Sequence, residues 1–131
     1  AGGGVTSHGR YDPAADSWET LADLPESRQY VASCGVGGKF YIFGGDFPSG
    51  DHNIDTFEYD PGSDSWSKKT DMPEPNGEFK AVSGDGIAYV TGGDEEDTSG
   101  NVNWVFDPST DSWSVRTPSN FQHTNAGMAV R

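Results

Sequence analysis

Lys39-Phe40-Tyr41-Ile42-Phe43-Gly44-Gly45 and Tyr59-Asp60-Pro61-Gly62-Ser63-Asp64-Ser65-Trp66 are the two stretches on which the fold turns. The first is a short apolar run rich in strand-forming residues that stops on a double glycine. The second joins an aromatic residue to a tryptophan seven positions later through an Asp-Pro turn. Proline presets φ there, and the aspartate side chain can bond the turn backbone. Both stretches recur. Tyr11-Asp12-Pro13 leads to Asp16-Ser17-Trp18, and Phe106-Asp107-Pro108 leads to Asp111-Ser112-Trp113, at the same spacing of seven. Trp66 follows Trp18 by 48 residues and Trp113 follows Trp66 by 47; Tyr89-Val90-Thr91-Gly92-Gly93 repeats the first stretch 48 residues on. A period of this length marks an array of one supersecondary unit, each burying its faces against its neighbours.

Within one period the pattern reads as four strands. Val31 to Val36 and Lys39 to Phe43 flank Gly37-Gly38, and Phe79 to Gly84 and Ile87 to Thr91 flank Asp85-Gly86. Such dipeptides between strand-like runs are hairpin signals. Ile54 to Tyr59 and Val102 to Phe106 alternate roughly, and Ser65 to Thr70 and Ser112 to Thr117 form a last strand beginning at the tryptophan. No stretch sustains a 3.6-residue period, so little or no helix is expected.

Four strands in about 48 residues, with the double glycine, Tyr-Asp-Pro and Trp in register, resemble the kelch repeat. The resemblance covers nearly the whole chain. It implies an all-β, kelch-type β-propeller segment of four-stranded antiparallel blades. Two blades are complete, over 26–72 and 73–119, and a third is split between the termini, residues 1–25 with 121–131. It also implies that Tyr11, Trp18, Gly44, Gly45, Tyr59, Trp66, Gly92, Gly93, Phe106 and Trp113 are structural, the rings packing between blades. Trp104, with Gly9 and Phe57 at the matching places, breaks the pattern and is read as packing. Three blades do not close a propeller. We therefore expect further blades, either on a longer polypeptide or from a second copy joined head to tail into a six-bladed ring. The absence of an initial Met and of a stretch matching Asp85 to Thr91 weighs toward an excerpt.

Composition excludes several function classes. Eight Lys and Arg against 21 Asp and Glu leave a net charge of −13, which speaks against nucleic acid and against an anionic membrane surface. Mean hydropathy is −0.70, and no apolar run approaches the length of a membrane span. Four Trp, five Tyr and seven Phe speak against disorder. Cys34 stands alone, so no intrachain disulfide forms. Localisation stays open: the acidity suits a secreted protein as well as an ordinary acidic surface.

Candidate binding residues come from register. Propellers take ligands at the channel mouth, where innermost strands begin and the loops between second and third strands converge. Arg28, Asn76 and His123 are equivalent there, as are Tyr30, Glu78 and Asn125. Packing requires none of these polar types. In kelch relatives an Arg at the Arg28 position often faces the channel and holds carboxylates. The loops Asp46 to Asn53 and Asp94 to Asn101 are long and polar, but Asp94-Glu95-Glu96-Asp97 matches no calcium-loop spacing. His8, His52 and His123 lack metal-ligand spacing, so no metal and no cofactor is expected. No phosphate loop, nucleophile elbow or cysteine pair stands out. The leading expectation is a non-enzymatic interaction module for a protein or glycan partner. The alternatives are a propeller enzyme acting on an acidic sugar at the mouth and a self-assembling blade unit.

Overall fold

The computed structural model describes residues 5–75, 78–92 and 102–118. Within them the chain forms ten strands and no helix. β1 (His8–Asp12) and β2 (Ser17–Leu21) form a two-stranded sheet. β3 (Ala32–Val36), β4 (Lys39–Phe43), β5 (Thr56–Asp60) and β6 (Ser65–Lys69) form a four-stranded antiparallel meander, and β7 (Phe79–Gly84), β8 (Ile87–Gly92), β9 (Val102–Asp107) and β10 (Ser112–Val115) form another. These are the two complete blades and the outer half of a third. The innermost strands β3 and β7 lie side by side. Residues 1–4 and 121–131, expected to complete the first blade, lie outside the described residues, as does Gly93.

Both hairpin signals act as the sequence indicates. Gly37 and Gly38 have φ of 58° and 80°, and Asp85 and Gly86 have 53° and 79°. Positive φ at both central residues matches the right-handed twist of the flanking strands. The Asp-Pro turns are alike in all three copies: Asp12, Asp60 and Asp107 Oδ1 accept from the backbone N–H of Ala14 (2.8 Å), Gly62 (2.8 Å) and Ser109 (2.9 Å). Each turn ends on an aspartate in left-handed backbone, Asp16, Asp64 and Asp111, with φ of 49°, 48° and 49°.

Register sorts the aromatic rings onto two faces. Phe40, Tyr59 and Trp66 stand opposite one another across β4, β5 and β6 and face the first sheet. There the His8 ring lies 4.6 Å from Tyr59 and 5.2 Å from Trp66. Tyr41 and Phe43, on the other face, meet the third sheet: Phe43 is 5.3 Å from Trp113 and 5.9 Å from Phe106. The core runs through this second seam, from Ala32, Tyr41 and Phe43 to Ala88, Val90 and Phe106. Trp104, 5.4 Å from Phe79, is buried in it.

Two expected core residues are not core. Tyr11 is 43% exposed and Trp18 76% exposed. The face that Phe40, Tyr59 and Trp66 bury is the face on which Tyr11 and Trp18 stand in the first sheet, and no described residue covers it there. Trp66 and Trp113 are partly buried because each has a sheet in front of it.

Candidate functional site

The start of β3 and the loop between β4 and β5 meet around Arg28, Tyr30 and Asp46–Asn53. Gln29 and Asp46 exchange two backbone hydrogen bonds, of 3.1 Å and 2.8 Å, in the register that Ala32 and Phe43 continue. Between these points the ladder breaks. Tyr30 sits in left-handed backbone at φ 56°, and opposite it Gly44 and Gly45 have φ of 54° and 87°. A Cβ on Gly45 would stand 2.7 Å from the Gln29 carbonyl oxygen and 2.7 Å from Val31 Cγ1. The second glycine is therefore required both by its dihedral and by the close approach of the strand carrying Tyr30. The third sheet repeats the arrangement, with Glu78 at φ 58° and Gly92 at φ 89°. Left-handed backbone at Tyr30 also explains why β3 begins at Ala32 rather than Val31.

The structure separates the expected mouth residues. Tyr30 is 59% exposed, and Glu78 is half-buried. Arg28 is interior: its side chain is 1% exposed. One terminal nitrogen, Nη2, donates to Glu26 Oε2 at 2.8 Å and to Asp55 Oδ2. The guanidinium lies 5.0 Å from the Phe47 ring centre and 5.5 Å from that of Phe57, a desolvated cation–π setting. Nε and Nη1 are buried with no partner among the described residues. Lys68 Nζ, 2.7 Å from Asp55 Oδ1, adds a second cation to the same carboxylate. Burial alone raises the Asp55 carboxyl, but the hydrogen bonds from Lys68 and Arg28 outweigh it and hold the group below its ordinary value. Arg28 thus fastens the strand start to the second-to-third-strand loop, and its charge is matched within the chain. Asn76, His123 and Asn125 lie outside the described residues.

The loop beside Tyr30 is folded on itself. Phe47 N–H donates to Asp51 C=O at 2.9 Å, Asn53 N–H to Gly45 C=O at 3.0 Å, and His52 Nδ1 lies 2.7 Å from Asp46 Oδ1. His8 serves the seam between the first and second sheets, and His52 serves this loop. Among the described residues no three His, Cys, Asp or Glu side chains converge as a metal site, and Asp94 to Asp97 lie outside them.

Sequence reasoning missed one buried acid. Glu58, 8% exposed, accepts from Tyr41 Oη at 2.6 Å and from Lys39 Nζ at 3.1 Å, with Lys69 Nζ at 3.4 Å. Burial raises its carboxyl, but the Tyr41 and Lys39 hydrogen bonds and the Lys69 charge bring it below its ordinary value. Burial and then the Glu58 bond push the Tyr41 phenol up, so it stays a donor. The group lines a cleft between the second and third sheets together with Val36 and Pro108. Its signal was present: Glu58 is an acid inside the aromatic strand Phe57-Glu58-Tyr59, opposite Tyr41.

Comparison with known proteins agrees with this architecture. The Kelch motif profile matches residues 27–73 and 75–120. Human Kelch-like protein 4 is 53% identical over 36 residues, which cover 28% of this chain and 5% of that protein. The solved structure entitled "Structure of YjhT" superposes with a TM-score of 0.69 at 22% identity, covering 92% of this chain and 53% of that one; at that identity the likeness concerns the fold alone. The chain thus spans about half the length of that structure and a small part of the human relative. With more than half of its residues matched by the motif, the chain belongs to the kelch-repeat family of β-propellers.

Proposed function

We propose that the chain is a non-enzymatic interaction module that recognises a protein partner through the surface around Tyr30 and Glu78. Kelch repeats serve in general as protein-interaction modules, and this reading adds a location. The observation that carries it is the repeated backbone strain at positions 30 and 78, where φ is 56° and 58°. A large side chain in left-handed backbone costs about 1–2 kcal/mol. Tyr30 is solvent-exposed, so packing does not repay that cost. Tyr is suited to a contact surface, since it offers a large rigid ring at low entropy cost. Arg28 acts behind it as a positioning residue that holds strand and loop together. Asn76, His123 and Asn125 occupy the matching positions in sequence and belong to the same proposed surface. The net charge of −13 favours a partner with a basic patch and makes association salt-dependent.

The test is binding to arrays of basic and acidic peptides and of glycans, with Tyr30→Ala and Glu78→Ala as controls. Retention of basic peptides, weakened about tenfold or more by Tyr30→Ala and weakened by added salt, is the expected result. Retention of glycans alone, or turnover of an acidic sugar, would replace this reading with the carbohydrate one. Peptide binding indifferent to both variants would move the site elsewhere.

A further inference from the structure

The cleft that Glu58 lines lies between the second and third sheets, both of which have all four strands. It is therefore a feature of a seam inside the chain. It holds about 420 Å³, within the range of small-ligand sites. Its mouth is at the hairpin-turn end of the strands, with Gly37 from one turn and Gly86 from the other, and so at the opposite end of β3 and β4 from Tyr30. A Cβ at either glycine would meet nothing within 4 Å, so the mouth is open. Val36 and Pro108 give it an apolar wall, and Lys39 and Lys69 bring ammonium groups to it.

The fold does not require charge at this place. Glu58 stands opposite Tyr41 in the second sheet, and Val105 stands opposite Tyr89 in the third. Lys39 is the first residue after its hairpin turn, and Ile87 is the first after the matching one. Apolar side chains thus serve at both positions one blade on, whereas burying Glu58 carries a desolvation cost. The charges around it are ordered. Glu58 Oε1 accepts from Lys39 Nζ at 3.1 Å, and Oε2 accepts from Tyr41 Oη at 2.6 Å with Lys69 Nζ at 3.4 Å. Lys39 also donates to Asp60 Oδ2 at 3.1 Å. An ammonium has three N–H donors. Lys39 has used two of its own, and Lys69 meets only Glu58 among the described residues. Tyr41 and Glu58 are committed to each other and to the lysines, so the groups left over toward the cleft are donors. The bonds to Glu58 and Asp60 also hold the Lys39 ammonium above its ordinary value, which keeps it charged.

We propose that this cleft binds a monocarboxylate, whose oxygens accept from Lys39 and Lys69 and whose carbon chain lies against Val36 and Pro108. A spare set of donors with no spare carboxylate selects an anion over a cation. A single charge suits it better than a phosphate dianion, because Lys39 and Lys69 are already balanced by Glu58 and Asp60 in a chain of net charge −13. Glu58 is the positioning residue, holding both ammonium groups at one edge of the cleft. A short free acid and the C-terminal carboxylate of a peptide share this chemistry, and the test separates them. The site is distinct from the Tyr30 surface and stands whether or not that surface binds a partner.

The experiment is an NMR titration of the full chain with sodium butyrate at neutral pH, with ionic strength held constant by sodium chloride. Butyramide serves as the uncharged isostere and inorganic phosphate as the other anion. Butyrate should give saturable shifts at the Val36, Gly37, Gly86 and Ser109 amides, phosphate should bind more weakly, and butyramide should give none. Lys69→Met, on an outer strand, should weaken butyrate about tenfold or more, and Lys39→Met should do the same. Lys68→Met should leave it unchanged, since that ammonium meets Asp55 and Asp71 instead. Raising the salt should weaken butyrate binding to the unaltered chain. Acetyl-trialanine with a free C-terminus, compared with its C-terminal amide, identifies the source. Tighter binding of the free peptide than of butyrate places the carboxylate on a partner chain, and weaker binding places it on a free acid. No saturable shift with butyrate, equal shifts with butyramide, tighter binding of phosphate, or full retention of butyrate in Lys69→Met overturns the proposal.

Discussion

Replacing Gly45 with alanine isolates what the double glycine does. Gly45 and Gly38 have similar dihedrals, φ 87° and 80°, so an alanine at either pays a similar conformational cost of about 1–2 kcal/mol. Their surroundings differ. At Gly38 a Cβ meets nothing within 4 Å, whereas at Gly45 it lies 2.7 Å from the Gln29 carbonyl oxygen and 3.2 Å from Val31 Cα. Those atoms are backbone and flank Tyr30, so the strand start must move. Overpacking of this kind costs about a further 1–3 kcal/mol. Gly45→Ala should thus lose about 2–5 kcal/mol and Gly38→Ala about 1–2 kcal/mol. Paired urea melts read the difference, and paired heat melts show it as a gap of roughly 4 °C per kcal/mol. Gly45→Ala should also weaken partner binding at Tyr30, while Gly38→Ala should not. Equal melting of the two variants, within about 0.5 kcal/mol, would refute the close approach as the reason for the second glycine.

Further outcomes follow from the seams and buried charges. Trp66→Phe removes the 2.9 Å bond to Ala22 and should cost about 1 kcal/mol; Trp18→Phe should cost nothing measurable in the same denaturation assay. Arg28→Met leaves Asp55 with Lys68 alone and should cost about 3 kcal/mol by urea midpoint. Asp55 and Glu58 have folded-state values below their ordinary 3.8 and 4.5, so their contribution is complete above those values and is lost as pH falls through the depressed ones. Urea midpoints should hold down to about pH 5 and drop below about pH 4, and Glu58→Gln should flatten the drop. Burial pushes the Cys34 thiol up to about 11, so iodoacetamide at neutral pH should label the native chain far more slowly than the unfolded one.

The strands and turns were legible because their causes are local. Gly37-Gly38 and Asp85-Gly86 accept the positive φ that a two-residue hairpin turn needs, and a spacing of seven between aromatic and tryptophan is read from the chain itself. What depends on a neighbour was not legible. Trp18 carries the same motif as Trp66, yet one is exposed and the other bonded, because the motif does not state whether a sheet lies in front of it. Arg28 reads as a mouth residue in sequence, but of the groups that enclose it Glu26 is a sequence neighbour, whereas Phe47, Asp55 and Phe57 are brought in from the β4–β5 loop and β5. Tyr30 was selected by register alone, and its left-handed backbone could be inferred only from the need for glycine opposite it. Glu58 was overlooked because an alternation rule assigns an acid to solvent, whereas here both faces of the sheet are covered.

Indole hydrogen exchange followed by NMR tests most directly whether each blade is fastened to the one before it by tryptophan and aspartate on a single residue: Ala22 N–H donates to Asp64 Oδ1 and Ala22 C=O accepts from Trp66 Nε1, and Thr70 meets Asp111 and Trp113 in the same way. Trp66 and Trp113 Nε1–H, with the Ala22 and Thr70 amides, should exchange slowly and together, and Trp18 Nε1–H should exchange at the rate of a free indole. Rapid exchange at Trp66 and Trp113, or protection of Trp18 equal to theirs, would contradict the account.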